Sequence, residues 1–149
     1  MATKTEPQVS KATRVLIVDD SAMIRDLIFD VLSEDARIEV VGEADDGLTA
    51  VQMATALLPD VITLDINMPM LNGFEAAETI RTISPSIRVV FVSGESGPES
   101  VQRAYRSGAS GYVVKTELGT QLLPVIHALV ENPLSHLSTQ GVGFECGAC

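Results

Sequence analysis

The sequence predicts an α/β protein in which one parallel sheet is covered by helices on both faces. Five short apolar runs, four of them uninterrupted, alternate with segments of helical periodicity. Continuous aliphatic strands are typical of a parallel sheet that is buried on both faces. A chain of 149 residues with 46% apolar and only 4% aromatic residues can build one aliphatic core. We therefore expect a single domain of five strand–helix units, (βα)₅.

The apolar runs give the expected strands, which are Val15–Val18, Ile38–Val41, Val61–Leu64, Val89–Val92 and Tyr112–Val114. The second run is interrupted by Glu39, which suits a strand at the edge of the sheet. Right-handed crossovers place helices on both faces of such a sheet. Doubly wound sheets of this size commonly take the flavodoxin-like strand order 2-1-3-4-5. That order puts the interrupted second strand at an edge, as its glutamate requires.

Helix-breaking and capping residues mark the ends of the expected helices. The first helix follows Ser21 as its N-cap. Its core-facing positions are expected to be Ile24, Leu27, Ile28, Val31 and Leu32. The next three helices are expected to end at Pro59, Pro85 and Gly108.

The fifth helix contains a proline, which restricts where the helix can begin. Leu122, Ile126 and Leu129 have the spacing of a face that packs on the sheet. Pro124 lies among them, and a proline is tolerated in the first turn, where its missing N–H has no partner. The helix is therefore predicted to begin near Thr120.

The two ends of the chain are expected to lie outside the folded domain. We predict a disordered segment over residues 1–13, the domain over 14–132 and a flexible tail over 133–149, too short and polar for a helix-turn-helix. Cys146 and Cys149 form a Cys-x-x-Cys, which can be a redox pair or half a zinc site, although incidental thiols in a tail are the simpler interpretation.

Charge and hydropathy restrict the partners. The formal net charge is −10 and the basic residues are scattered, which argues against a nucleic-acid partner. The first residues carry no apolar signal region, and no apolar segment reaches membrane-spanning length. We expect a cytoplasmic protein with no membrane partner.

The chemistry is expected beyond the carboxyl ends of the strands, where doubly wound sheets bind ligands. The residues at these positions are Asp19 and Asp20 after strand 1, Asp65 after strand 3, Ser93 after strand 4 and Lys115 after strand 5. Three crowded carboxylates require a cation unless they are protonated. Oxygen ligands with free coordination positions suit Mg²⁺, or Mn²⁺ in its place. With a hydroxyl and an ammonium nearby, such a site can transfer a phosphoryl group to a carboxylate.

Each of these residues alone would be interpreted as a helix cap or a surface group. The turn Asp45-Asp46-Gly47 after the edge strand is a similar acidic sequence and is predicted to be a turn and a cap only. The convergence of four adjacent strand ends is what favours a site. Tyr112 fits simple packing as well as a functional role.

Four motifs in a fixed order resemble a bacterial two-component response-regulator receiver domain over about residues 14–131. They are Val-Leu-Ile-Val-Asp-Asp-Ser-Ala, Leu-Asp-Ile-Asn-Met-Pro-Met-Leu-Asn-Gly, Val-Ser-Gly-Glu and Gly-Ala-Ser-Gly-Tyr-Val-Val-Lys. The resemblance implies that Asp65 is phosphorylated, and that Asp19, Asp20 and the main-chain carbonyl of Asn67 complete the metal site. It implies phosphate sensing by Ser93 and Lys115, and a switching role for Tyr112.

Two further features concern the geometry and lifetime of a phosphorylated site. Asn67 and Glu95 lie two positions after Asp65 and Ser93, and are predicted to position the water that hydrolyses the acyl phosphate. Many receivers have a cis proline after the lysine, whereas Thr116 follows Lys115 here. A cis bond before a non-proline residue costs about 3–4 kcal/mol, so cis and trans both stay open.

The resemblance implies a sensor histidine kinase or a histidine phosphotransfer protein as phosphodonor. It also implies a downstream protein target, or self-association, through the face formed by helix 4, strand 5 and helix 5. We expect a stand-alone receiver that catalyses only its own phosphorylation and dephosphorylation. The alternatives are a receiver fragment of a longer regulator, an aspartyl-phosphate phosphatase and a flavin-binding module, although no glycine- and hydroxyl-rich phosphate loop follows strand 1.

Overall fold

A computed structural model describes residues 11–131, which form a five-stranded parallel sheet flanked by helices. The strands are β1 (Thr13–Val18), β2 (Ile38–Ala44), β3 (Val61–Leu64), β4 (Arg88–Ser93) and β5 (Gly111–Val114). Their order across the sheet is β2-β1-β3-β4-β5. The predicted fold class and strand order are confirmed, with β2 at an edge.

The helices follow the strands in strict alternation. They are α1 (Ala22–Ser33), α2 (Gly47–Leu57), α3 (Gly73–Ile83), α4 (Pro98–Arg106) and α5 (Leu118–Glu131). A 3₁₀ turn over Lys115–Glu117 leads directly into α5. Within residues 11–131, no helix combines the length and apolar character needed to cross a membrane.

Two apolar cores lie on opposite faces of the sheet, and alternate residues of each central strand contribute to each core. Val15 and Ile17 of β1 pack with the buried faces of α1 and α5. Leu16 and Val18 pack on the other side with α2, α3 and α4. Because both faces of β1 are covered, its sequence is a continuous apolar run rather than an alternating one.

The fifth helix begins earlier than its proline indicated, so the prediction of a start near Thr120 was wrong. The helix starts at Leu118, and Pro124 lies inside it. Leu118, only 1% exposed, anchors the first turn in the core. Burial of a leucine contributes about 1.5–3 kcal/mol, comparable to the roughly 3 kcal/mol cost of an interior proline. Pro124 itself is exposed, where water can satisfy the carbonyl group that it leaves without a donor.

The predicted core face of α1 was correct except at one position. Ile28, Val31 and Leu32 are buried, but Leu27 is 43% exposed. Because α1 packs against both the sheet and α5, its buried face is turned away from Leu27. Of the segments predicted to flank the domain, over residues 1–13 and 133–149, the first was predicted too long, because Thr13 already belongs to β1. Residues 1–10 and 132–149, which include Cys146 and Cys149, lie outside the described residues.

Candidate functional site

Three aspartates meet at the carboxyl ends of β1 and β3. Each of Asp19, Asp20 and Asp65 offers a carboxylate oxygen, and these oxygens lie within 4.8 Å of one another. Asp19 is completely buried and Asp65 is 4% exposed, whereas Asp20 is exposed to solvent. The three carboxylates come together as the sequence predicted, and two of them are desolvated while the third is at the surface.

Hydrogen bonds to its N–H, its side chain and its carbonyl oxygen hold Asp19 in place. Its N–H donates to the carbonyl oxygen of Ala44 at 3.1 Å, and its Oδ1 accepts from the N–H of Ser21 at 2.9 Å. The guanidinium of Arg25 donates to the Asp19 carbonyl oxygen at 2.8 Å, and is itself paired with Glu43 at 3.0 Å. No sequence pattern indicated a role for Arg25, because a single arginine on a helix is usually a surface residue.

Asp65 is positioned by the parallel ladder and by the start of α3. Its N–H donates to the carbonyl oxygen of Val18 at 3.0 Å, which extends the β1–β3 pairing by one residue. Gly73 packs so closely that a Cβ atom there would lie 2.2 Å from the Asp65 carbonyl oxygen. Its own N–H donates to the carbonyl oxygen of Ile66 at 2.8 Å. A side chain at Gly73 would therefore displace Asp65, a constraint that only the Asn-Gly at the helix start could have suggested.

Lys115 bridges the two buried carboxylates. Its Nζ lies 3.1 Å from Asp19 Oδ2 and 3.3 Å from Asp65 Oδ1. Burial alone would lower the pKa of the lysine, but the charges of Asp65 and Asp19 outweigh it and raise the pKa. The Lys115–Thr116 peptide bond is trans, and the 3₁₀ turn that begins at Lys115 carries its side chain to the site.

The electrostatics of the cluster act most strongly on Asp65. Burial, followed by the negative charge of Asp19, raises the pKa of Asp65 to about 6, although Lys115 opposes the shift. Above that pH the carboxylate is ionised and available as a nucleophile.

The donor set fits a hard divalent cation. One ammonium cannot neutralise three carboxylates, and within residues 11–131 the buried Oδ2 of Asp19 has no hydrogen bond, although Lys115 lies at ion-pair distance. Carboxylate oxygens at an edge open to water are the ligands that Mg²⁺ prefers. Asn67 lies exposed on the loop after Asp65, and its main-chain carbonyl oxygen is the fourth predicted ligand.

Glu95 connects two residues that the sequence predicted to act together. Ser93, only 1% exposed, accepts a hydrogen bond at its Oγ from the N–H of Glu95 at 3.0 Å. The hydroxyl of Tyr112 donates to the carbonyl oxygen of Glu95 at 2.7 Å. The side chain of Glu95 accepts from the hydroxyl of Ser100 on α4. A Cβ at Gly94 would contact nothing within 4 Å, so the approach over this loop is open.

The acidic turn after β2 has the capping role predicted for it. Asp46 is the N-cap of α2, and its Oδ1 accepts from the N–H of Thr49 at 2.7 Å. This hydrogen bond, with the weaker one to Thr49's side chain, lowers the pKa of Asp46. Similar sequences after β1 and β2 thus have different surroundings, because β1 lies beside β3, which leads to Asp65, whereas β2 is at the edge of the sheet.

Comparison with known proteins identifies the family to which this fold and acidic site belong. A model of the response regulator receiver domain matches residues 15–127. The chain belongs to this family. The predicted receiver domain is therefore confirmed.

Two curated relatives show what accompanies this domain elsewhere. The protein-glutamate methylesterase/protein-glutamine glutaminase of Thermotoga maritima is 45% identical over 107 residues, which are 70% of this chain and 31% of that protein. The nitrate/nitrite response regulator protein NarL of Escherichia coli is 38% identical over 113 residues, or 76% of this chain and 52% of that protein. The chain thus spans about a third of one relative and half of the other.

Solved structures of isolated domains match over nearly their whole length. The response regulator domain of Thermotoga maritima CheB has a TM-score of 0.72 and 37% identity, over 80% of this chain and 97% of that one. The signal receiver domain of the response regulator NarL from Mycobacterium tuberculosis has a TM-score of 0.71 and 34% identity. The match covers 77% of this chain and 96% of that one.

Proposed function

We propose that this receiver accepts a phosphoryl group on Asp65 from a phosphohistidine of a sensor kinase or a phosphotransfer protein. The observation that carries the proposal is the position of Asp65 at the end of β3. There it faces Asp19 and Asp20 within 4.8 Å and Lys115 at 3.3 Å. Asp65 is thus a carboxylate next to both a cation-binding cluster and a fixed ammonium.

In the proposed reaction, an ionised Asp65 oxygen attacks phosphorus. An oxygen–phosphorus bond forms and the nitrogen–phosphorus bond of the donor breaks. The donor imidazole, which is protonated at its other ring nitrogen, takes the electron pair of the broken bond and leaves as the neutral ring. Asp19, Asp20, Asp65 and the main-chain carbonyl of Asn67 would hold Mg²⁺, which supplies positive charge beside the transferring group. Lys115, released from its contact with Asp65, pairs with a phosphoryl oxygen.

Labelling with a small phosphodonor tests this assignment directly. Incubation with acetyl phosphate and Mg²⁺ should add one acid-stable, hydroxylamine-sensitive phosphoryl group, detected by intact-protein mass spectrometry. Asp65→Asn should remove the label, and EDTA should abolish it. Asp45→Asn is the matched control, since Asp45 is an exposed aspartate after the edge strand. Equal labelling of Asp65→Asn and the wild type would refute the assignment.

We further propose that phosphorylation changes the surface formed by α4, β5 and α5. The Ser93 hydroxyl is expected to turn toward a phosphoryl oxygen, which weakens its hydrogen bond from the Glu95 N–H. Because the Tyr112 hydroxyl is bonded to the carbonyl oxygen of the same residue, movement of Glu95 releases the tyrosine. Glu95 thereby couples the site to Tyr112, which can turn inward toward the space left by Ser93.

Beryllofluoride, which mimics a phosphoryl group, tests the coupling. Amide chemical shifts across Val101–Tyr112 should change when beryllofluoride and Mg²⁺ are added. Tyr112→Phe, which lacks only the hydroxyl bound to Glu95, should shift these amides partway in the absence of the ligand. Shifts confined to the strand ends would contradict the proposed switch.

The output is proposed to be a protein–protein contact, either with a downstream target or with a second copy of the receiver. The net charge of −10 supports a protein partner rather than a nucleic acid. The acyl-phosphate chemistry supports a protein that catalyses only its own phosphorylation and dephosphorylation, in the cytoplasm with its kinase. Turnover of a generic phosphate monoester would instead support phosphatase activity.

A further inference from the structure

Thr63 of β3 carries a buried hydroxyl that the proposed reaction does not use. Thr63 is 0% exposed, and within residues 11–131 its Oγ1 has no hydrogen-bond partner. A buried hydroxyl without a partner costs about 1–3 kcal/mol. A valine has nearly the same shape and carries no such cost.

The position of Thr63 relates this hydroxyl to the acidic site. Thr63 is two residues before Asp65, so strand alternation puts both side chains on the same face of the sheet. In the β1–β3 register, Thr63 pairs with Ile17, and Asp19 is two residues beyond Ile17. Thr63 is therefore one layer below both carboxylates, on the face covered by α1 and α5.

The residues beside Thr63 in the sheet are aliphatic. Its register partners are Ile17 on β1 and Val90 on β4, and both are 0% exposed. They offer no polar side-chain atom. Two positions further along the strands on this face are Asp19 and Asp65, whose carboxylates can accept hydrogen bonds.

One of these acceptors is also buried without a hydrogen bond. Asp19 Oδ2 has none within residues 11–131, and its described contact is the ion pair with Lys115 at 3.1 Å. A carboxylate oxygen only accepts, whereas a hydroxyl can donate, so the two atoms are chemically complementary. Diagonal neighbours on adjacent strands are about 7–8 Å apart at Cα, and the two oxygens form no direct hydrogen bond, so a water between them would be needed to link them.

We propose that the Thr63 hydroxyl is a positioning group for the acidic site, linked to Asp19 Oδ2 through one buried water. The hydroxyl donates to the water, and the water donates to the carboxylate. This fixes the plane of the Asp19 carboxylate so that its remaining lone pairs are directed toward a cation. The inference rests on the proposed function, since it concerns the same metal site.

The variants Thr63→Val and Thr63→Ser separate this role from packing. Valine keeps the shape and removes the hydroxyl, whereas serine keeps the hydroxyl. Ile17→Val, in the same layer of the neighbouring strand, is the matched control for a small change in the core. Mg²⁺ affinity is measured by isothermal titration calorimetry, and stability by thermal unfolding without metal.

If the proposal is correct, Thr63→Val weakens Mg²⁺ binding about fivefold, the fold-change for one hydrogen bond of about 1 kcal/mol. Thr63→Ser and Ile17→Val should bind within about twofold of the wild type, since both keep a hydroxyl at position 63. A high-resolution crystal structure of the wild type should show the bridging water, and that of Thr63→Val should lack it.

Two results would overturn the inference, and they can be told apart from failure of the proposed function. If Thr63→Val melts at a higher temperature and binds Mg²⁺ as tightly as the wild type, the hydroxyl is only an unpaired core group. If a crystal structure shows the hydroxyl bonded elsewhere, the link to Asp19 is wrong. In both cases the wild type still binds Mg²⁺ and is labelled on Asp65. Loss of both properties in the wild type would remove the proposed function as well.

Discussion

The ammonium of Lys115 lies 3.1 Å from Oδ2 of Asp19 and therefore occupies part of the space beside the carboxylates that a cation would also use. The same nitrogen contacts Asp65 at 3.3 Å. Lysine thus serves as an internal counter-ion for the buried aspartates. A divalent cation must bind against the repulsion of this ammonium.

Removing this charge should strengthen metal binding. We expect Lys115→Met to bind Mg²⁺ about five- to thirtyfold more tightly, equal to about 1–2 kcal/mol for one screened charge a few ångströms away. Lys115→Arg keeps the charge and should stay within about twofold of the wild type. Titration calorimetry at pH 8 measures both. Weaker binding by Lys115→Met would mean that the lysine supports the metal site instead of competing with the metal.

The raised pKa of Asp65 predicts a stability that falls with pH. A carboxyl with a folded pKa of about 6 and an unfolded pKa near 3.8 stabilises the fold below about pH 4 relative to neutral pH. That contribution is lost as the pH rises through about 6. Asp65→Asn cannot ionise, so without metal it should be more stable than the wild type at pH 7.5, by about 1–3 kcal/mol.

Urea unfolding in EDTA, at pH 7.5 and at pH 4, measures this difference. The stability gain of Asp65→Asn should disappear at pH 4, where the wild-type carboxyl is protonated. Asp45→Asn, at an exposed position, should show no comparable gain. Equal stabilities of Asp65→Asn and the wild type at pH 7.5 would mean that Asp65 is not under electrostatic strain.

Most of the fold could be predicted from the sequence, because the apolar strand runs, the helical periodicity and the capping residues all indicated the same alternation of strands and helices. The runs at Val15–Val18 and Val61–Leu64 are buried on both sides, so their composition alone identified central strands. The start of α5 was misplaced, because the burial of Leu118 depends on tertiary packing that a proline rule cannot anticipate. The hydrophobic periodicity of a helix or strand is visible in the local sequence, whereas its ends depend on its tertiary contacts.

For the site, the sequence predicted the residue types and the tertiary structure supplied the connections. Asp19, Asp65 and Lys115 come together because adjacent parallel strands end at one edge. The support from Arg25 and the link through the Glu95 backbone involve main-chain atoms, which every residue has. No residue pattern could therefore have indicated them.

A second charged cluster joins the loop before β2 to the end of α5. Asp35 accepts hydrogen bonds from Arg37, with side-chain distances of 3.1 and 3.2 Å, and its Oδ2 lies 2.6 Å from His127 Nε2. The side-chain and backbone hydrogen bonds from Arg37, with a smaller contribution from His127, hold the pKa of Asp35 well below its usual range. Its stabilising effect should therefore be present above about pH 4 and lost as the pH falls further.

Asp35→Asn should lower the melting temperature at pH 7 by a few degrees, and the difference should shrink toward pH 2.5. Thermal unfolding followed by circular dichroism at both pH values measures this. Asp30→Asn, at an exposed position on α1, is the control and should have little effect at either pH. A constant difference across the pH range would assign the effect to packing instead of charge.

The phosphorylated form is predicted to be short-lived, because the exposed polar residues Asn67 and Glu95 follow Asp65 and Ser93 by two positions each. Hydrolysis needs a water in line with phosphorus, opposite the Asp65 oxygen. Asn67 and Glu95 are both exposed beside the site and can hold that water by hydrogen bonds. In the unphosphorylated structure, the Glu95 carboxylate is bonded by the Ser100 hydroxyl of α4, so it must leave or share that bond to act.

Glu95→Ala and Asn67→Arg test this role by different means, since one removes a water acceptor and the other blocks the approach with a long basic side chain. Each should slow phosphate release about two- to tenfold, as expected for the loss of one hydrogen bond to the attacking water. Release is followed after labelling with acetyl phosphate and rapid removal of the donor. Glu99→Ala, which removes the same charge from the first turn of α4, should release phosphate at the wild-type rate. If Glu95→Ala and Glu99→Ala both match the wild type, Glu95 serves only its hydrogen bond with Ser100, and the lifetime depends on other residues.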